Sequence, residues 1–456
     1  MRKLLIALAI LAGVALLLPT LNLVRHPKSP VLDAWGRNDA NAREIAVLLE
    51  NSCANCHTTD GVLPAYAHFP VAKGIVHRDI ERGLQAFDLT TDLVTEKGMP
   101  APEAVLAKVE YQLTRDQMPP ARYKAMHWKA HLHDAEKAKL LAWVRQVRAQ
   151  HYAAADLPGS VQSEALQPLP ASVAVDPREA ALGEKLYHDA RLSGDNSLSC
   201  ASCHDLAKGG TDREKVSRGI AGQRGGINAP TTFNVAFQSA QFWDGRAATL
   251  EDQADGPPNN PVEMGSNWPQ IIAKLEQDPE FAREFRAVYP EGLSKATLTH
   301  AIAEFERTLV TPGSRFDRYL LGETHALNLQ EQYGYQMFLR SGCQSCHVGK
   351  LLGGQSFELM GRHANYFADR GAVSKADWGR YNATRDPNDR YRFKVPTLRN
   401  VAATAPYLHD GSTSDLRQVV SIMAKYQAGV KLMQPDVDAI AAFLGTLSGE
   451  YQGRKI

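Results

Sequence analysis

The chain has no cysteine to spare. It holds six in 456 residues, and all six fall in three Cys-x-x-Cys-His motifs, Cys53/Cys56/His57, Cys200/Cys203/His204 and Cys343/Cys346/His347. No thiol remains for a structural disulfide. The chain also lacks an excess of either charge: its formal net charge is +1, which gives it no electrostatic attraction for nucleic acid. Strand patterning is weak throughout and helical spacing dominates, so the body reads as mainly α. What is present is enough apolar sequence, 44% of residues, to build buried cores, in a length that suggests about three domains.

Two cysteines three apart followed at once by histidine is the attachment signal of c-type haem. The thiols add to the vinyl groups as thioethers and the adjacent imidazole reaches the iron. The competing reading is a zinc site or a redox dithiol. Histidine fills only 15 of 456 positions, so its recurrence after all three pairs is not chance, and three covalently bound haems c are expected. Met1 to Val24 carries Arg2-Lys3 and then an apolar run from Leu4 that, at ~1.5 Å per residue, spans roughly 30 Å as a helix. With no convincing small-residue cleavage site after Leu18, residues 1–24 read as an uncleaved transmembrane anchor, a cleaved signal peptide being the alternative. Either places the haems outside the cytoplasm.

Ala40 to Asn51 has helical spacing at Ile45, Leu48 and Leu49 and leads into Cys53. Asp134 to Gln150 repeats the pattern at Leu140, Leu141, Val144 and Val147. Residues 30–152 therefore read as a small class I cytochrome c domain, with Met118, ahead of the closing helix, preferred over Met99 as the axial ligand opposite His57. Residues 153–176, rich in Ala, Pro and Ser, read as a linker. An internal echo follows: Leu182-Gly-Glu-Lys-Leu-Tyr187 precedes Cys200, Tyr333-Gly-Tyr-Gln-Met-Phe338 precedes Cys343, and Gly-Gly trails both motifs. Two related cytochrome domains, 177–320 and 321–456, are expected in tandem. Leu298 to Leu309 and Val437 to Leu447 read as further helices, His409 as a satisfied structural histidine, and the remaining histidines, His127, His131 and His133 among them, as residues of solvated faces.

Between His204 and Met264 there is no other histidine or methionine, so no sixth ligand lies nearby. A carboxylic acid, Glu263, sits among apolar residues instead. An open iron beside an acid suggests chemistry.

Leu192-Ser193, Cys200 to His204, Asn228-Ala-Pro-Thr231, Phe242-Trp-Asp-Gly-Arg246, Gln253, Glu263-Met264, Leu309-Val-Thr-Pro312, Cys343 to His347 and Pro396-Thr-Leu-Arg-Asn-Val401 together give a pattern that, from about Pro177 onward, resembles the bacterial di-haem cytochrome c peroxidases. Relatives of that family include the tryptophan-modifying di-haem enzymes. With the extra amino-terminal cytochrome and anchor, the whole chain resembles the tri-haem, membrane-anchored quinol peroxidases.

The resemblance implies a peroxidatic haem on His204 and an electron-transferring haem on His347 whose sixth ligand is Met423, with Trp243 between them. It implies a calcium ion at Asn228 and the carbonyls of Thr404 and Pro406, an oxygen set that suits that ion. Glu263 is the candidate acid/base for cleaving the peroxide O–O bond, and Gln253 the residue that positions peroxide or water.

Hydrogen peroxide is the implied substrate and membrane quinol or reduced cytochrome c the donor, at the inner membrane with the haem domains in the periplasm. Many members of the family carry a gating histidine on the Gly-rich loop before Asn228. Here Ile220 stands at that place, and isoleucine cannot bind iron. A non-enzymatic electron carrier and an oxidase of a partner protein are the competing functions; the tyrosine of the latter branch is replaced by Met423.

Overall fold

The computed structural model describes residues 13, 16, 17, 19–23, 29–38, 40–61, 63–94 and 100–456. It divides into two compact units, Met1–Glu164 and Ala165–Ile456. Among the described residues no helix is long and apolar enough to cross a membrane; most of the anchor expected over 1–24, and Met99, lie outside them.

In the first unit the helix Ala40–Ser52 turns Ile45, Leu48 and Leu49 inward, the face its spacing dictates. They meet Leu140, Trp143 and Val144 of the helix Asp134–His151 and Leu106 of Glu103–Thr114 in one core. Trp35 meets Trp143 edge-on at 6.0 Å. Glu136 accepts from the His133 backbone N–H, closing the first turn of the long helix.

The second unit uses one device twice. The helix Pro177–Tyr187, started by Asp176 accepting from the Arg178 N–H at 2.8 Å, crosses the helix Lys295–Thr308. The helix Leu329–Arg340, closed by the reciprocal Asn328 and Glu331 bonds, crosses Gln434–Leu444. Each crossing is centred on a glycine. A Cβ on Gly183 would lie 1.8 Å from the Ala301 carbonyl oxygen, and one on Gly334 1.9 Å from that of Ala439. The glycines of the sequence echo are thus the points where a haem-preceding helix touches its partner's backbone. Among the described residues, strands are confined to two short antiparallel ladders, Phe357–Leu359 with Arg392–Lys394 and Glu450–Tyr451 with Arg454–Lys455.

The two halves of this unit are tied together. Asn234 and Asn400, one from each half, both donate through Nδ2 to Thr311 Oγ1, at 2.8 and 3.0 Å, and Tyr451 of the terminal hairpin packs on Phe233. The unit boundary falls inside the stretch read as a linker, and the carboxyl-terminal part of that stretch is not loose. Leu166, Gln167 and Leu169 are buried, the Gly349 N–H donates to the Ala165 carbonyl, and Arg399, fully buried and paired with Asp317 at 2.7 Å, donates to the Gln167 carbonyl at 2.8 Å. This strap is extended and held by its main chain, so it carries no side-chain periodicity to read.

Replacing Gly183 or Gly334 by Ala is expected to destabilise the protein, even though alanine gains about 1 kcal/mol over glycine in a helix interior. Denaturant unfolding checks this; variants as stable as the parent would contradict the backbone contact.

Candidate functional site: three histidine centres and the segment between two of them

All three motifs fold alike. The histidine N–H donates to the carbonyl of the first cysteine, at 3.1 Å for His57, 2.9 Å for His204 and 3.0 Å for His347, so each motif closes a single turn. In each case Nδ1 of the histidine lies against a main-chain carbonyl: Phe87 at 3.3 Å, Gly210 at 3.3 Å and Leu352 at 2.9 Å. A carbonyl can only accept, so Nδ1 carries the proton and Nε2 keeps its lone pair, the tautomer a metal-binding imidazole requires. Burial lowers the pKa of His204 and His347 and keeps them neutral. None of the six cysteines is in a disulfide, and burial pushes the thiols of Cys53, Cys200 and Cys343 up to about 12. Such thiols are poor exchange nucleophiles, and a histidine with a free Nε2 directly after each pair fits covalently attached haem.

Around His204 the acid is built into a turn. The helix Leu250–Asn259, which carries half-buried Gln253, runs out at Pro257 and Pro258. The next residues fold back: Asn260 Nδ2 donates to Glu263 Oε1 at 2.9 Å, and Asn260 Oδ1 accepts from the Val262 N–H. Burial raises the Glu263 pKa, opposed by the charge of Arg246 and the bond from Asn260. The Glu263 charge is in turn felt at the Cys203 thiol, so the acid stands beside the attachment motif. The Gly-rich loop lies against this turn. Ile220 N–H donates to the Glu263 carbonyl at 2.7 Å, its side chain fills the space beside Gly194 and Gly265, and a Cβ on Gly219 would meet the Val262 carbonyl at 1.7 Å. Tyr187 donates to the His204 carbonyl at 2.5 Å.

His347 opens onto a cavity that Cys343, Cys346 and Met423 also line. Met423 ends the helix Leu416–Met423. Asn228, Trp243, Thr404 and Pro406 line the same cavity, so five residues far apart in sequence lie around one space. The Trp243 indole N–H donates to the Asn228 carbonyl at 2.9 Å, and the Asn228 N–H donates to that of His409 at 2.8 Å. Asn228 spends Nδ2 on the carbonyl of Glu214 at 3.0 Å. The segment Phe242 to Arg246 therefore faces both centres, Trp243 toward the cavity of His347 and Arg246 toward Glu263.

Met118 is 38% exposed on the loop after Glu103–Thr114. His131 and His133 are exposed, but His127 is not on a solvated face: it is buried, stacked on Tyr123 at 4.1 Å and 2.6 Å from the Tyr66 hydroxyl. His409 is satisfied by Asp377 at 2.7 Å, which Arg370 holds at 2.7 Å. Two buried groups were not anticipated. Glu306 follows Ile302 by four on a buried helix face, a legible signal, and burial pushes it up to about 8. Lys394 stands just before the Pro396 to Val401 motif, which is the clue to it.

Comparison with known proteins agrees with this geometry. Residues 177–325 match the family model "Di-haem cytochrome c peroxidase", and residues 14–146 match "Haem-binding domain". The cytochrome c peroxidase Ccp of Escherichia coli is 46% identical over 90% of this chain and 88% of its own length. The cytochrome c551 peroxidase of Nitrosomonas europaea is 42% identical over 64% of this chain and 87% of its own. A crystal structure described as a MauG-like protein associated with microbial copper homeostasis superposes with a TM-score of 0.56 at 30% identity, over 65% of this chain and 96% of that one. On these grounds the chain belongs to the di-haem cytochrome c peroxidase family and is an oxidoreductase, a haem peroxidase.

Proposed function

We propose that the protein reduces hydrogen peroxide to two waters with two electrons and two protons, using three covalent haems in series. Electrons enter at the His57 centre, with Met118 as its second ligand, are held at the centre of His347 and Met423, and are spent at His204. The observation that carries this reading is the inequality of the two centres joined by the Phe242 to Arg246 segment. One has a methionine in its cavity, which raises the potential of a histidine-bound haem relative to two histidines; the other has an acid and no second strong ligand in the neighbouring sequence.

When bound, the haem supplies the redox-active iron. Glu263 would take a proton from one peroxide oxygen and give it to the departing one, Gln253 would orient the peroxide, and Ile220, which has no donor atom, would leave the site without a gate. Trp243 lies on the electron's way from the second centre. A calcium ion held by Asn228 and the carbonyls of Thr404 and Pro406 would stiffen the wall that Trp243 leans on.

Membrane quinol is the donor this reading favours, delivered to an anchored, periplasmic chain, with reduced cytochrome c as the second donor. Met423, in place of tyrosine, favours peroxide reduction with electrons drawn from the other haem over oxidation of a partner protein.

Glu263→Gln is expected to cut peroxide turnover by about 100-fold or more, the scale of general acid/base catalysis, with the haem spectra unchanged. Glu263 must begin as carboxylate, so parent turnover falls as the pH drops through its pKa. Because burial raises that pKa, the fall comes at higher pH than for an exposed glutamate, and it should vanish in the variant. The donor is tested by offering quinol and reduced cytochrome c separately to the detergent-solubilised full chain and to a chain lacking residues 1–164. The shorter chain should lose quinol turnover and keep activity with artificial reductants; equal quinol turnover would count against entry at His57.

A further inference from the structure

Lys394 is a buried lysine whose ammonium bonds neutral acceptors. It ends the strand Arg392–Lys394, is 6% exposed, and lines the cavity of His347. Its ammonium donates to Gln238 Oε1 and, at 2.9 Å, to the Ala240 carbonyl, both neutral acceptors. Among the described residues the charge acting on it is that of Asp244, which Arg246 pairs at 2.9 Å. Glu358 lines the same cavity, but its charge acts on His347. Burial pushes Lys394 down to about 7, against the opposing charge of Asp244.

A c-type haem hung from two thioethers carries its two propionates on the edge away from them. Those are carboxylates brought into this cavity by the ligand itself. We propose that Lys394 is the counter-ion of a propionate of the second haem and, through that ion pair, a positioning residue for Trp243; this rests on the reading that haem attached to Cys343 and Cys346 fills the cavity. The second part follows from the main chain. The Lys394 N–H donates to the Trp243 carbonyl at 2.8 Å, and Gln238 and Ala240 stand on the turn that leads to Trp243. One residue thus fastens the turn before the tryptophan with its side chain and the tryptophan itself with its backbone, while its charge faces the cofactor. A buried ion pair of this kind is strong only when both partners keep their hydrogen bonds, and Gln238 and Ala240 supply those on the lysine side.

A cation beside a haem favours the reduced iron. In the haem-loaded full chain, Lys394→Met should therefore lower the midpoint potential of the Met/His haem in a spectroelectrochemical titration, alter the propionate bending bands in resonance Raman, and slow reoxidation of that haem by peroxide about tenfold. Lys394→Arg should restore most of the parent potential. A potential in Lys394→Met equal to the parent's, or an equal shift in Lys394→Arg, would overturn the ion pair and leave Lys394 as packing. Where the Met variant fails to load haem, Lys394→Gln is read by the same criteria. A parent whose mass shows no haem on Cys343 and Cys346 removes the underlying reading instead, and is told apart by that measurement.

Discussion

The hydrogen bond from the Trp243 indole to the Asn228 carbonyl, 2.9 Å long, is the contact on which the arrangement of the second unit turns. It fixes a segment whose tryptophan looks into one centre and whose arginine, Arg246, is felt by the acid of the other. Asn228 is itself fastened on three sides, by its N–H to the His409 carbonyl, by its side chain to Glu214, and by its carbonyl to Trp243. A polar group buried in such a place is costly unless it is fully bonded, so the chain between Glu214 and Trp243 has little freedom to be elsewhere. The Gly-rich loop leading to Asn228 is pressed against the Glu263 turn through Gly219 and Ile220. Both centres are therefore held by one continuous piece of backbone.

The two halves share a frame and differ in what they hang on it. In each, a capped helix crosses a later helix at a glycine and then delivers a histidine whose Nδ1 is spent on a carbonyl. Beyond that the halves diverge: one continues into an Asn-Pro turn that buries a carboxylic acid, the other into a cavity that a methionine helps to line. Common ligation chemistry with different surroundings is how one scaffold can hold an electron in one place and use it in another.

Much of this was legible in the sequence. Ile45, Leu48 and Leu49 face inward as their spacing requires, and the echo around Gly183 and Gly334 marked a real structural repeat. Asn228, Trp243, Thr404, Pro406 and Met423, spread over nearly two hundred positions of chain, line one cavity, and each stands in or near a motif that the sequence displays. What could not be read was whatever depends on the main chain or on pairings distant in sequence. The strap from Ala165 to Leu169 is held by carbonyls and has no apolar rhythm. His127 is buried because Tyr66, 61 residues away, supplies its hydrogen bond; nothing adjacent to it announces that. Lys394 is buried against the usual tendency of lysine, and only the cavity explains it.

In the proposed arrangement the His347 centre has Met423 in its cavity, whereas the His204 centre has Glu263 nearby and no second strong ligand in the neighbouring sequence. Electron paramagnetic resonance of the fully oxidised, haem-loaded protein tests it most directly. With Ile220 where a histidine would gate the iron, the His204 centre should give a high-spin ferric signal that responds to added peroxide without prior reduction, while the His347 centre gives the low-spin signal of Met/His ligation. A purely low-spin spectrum, with two nitrogen ligands on the His204 iron, would contradict the account.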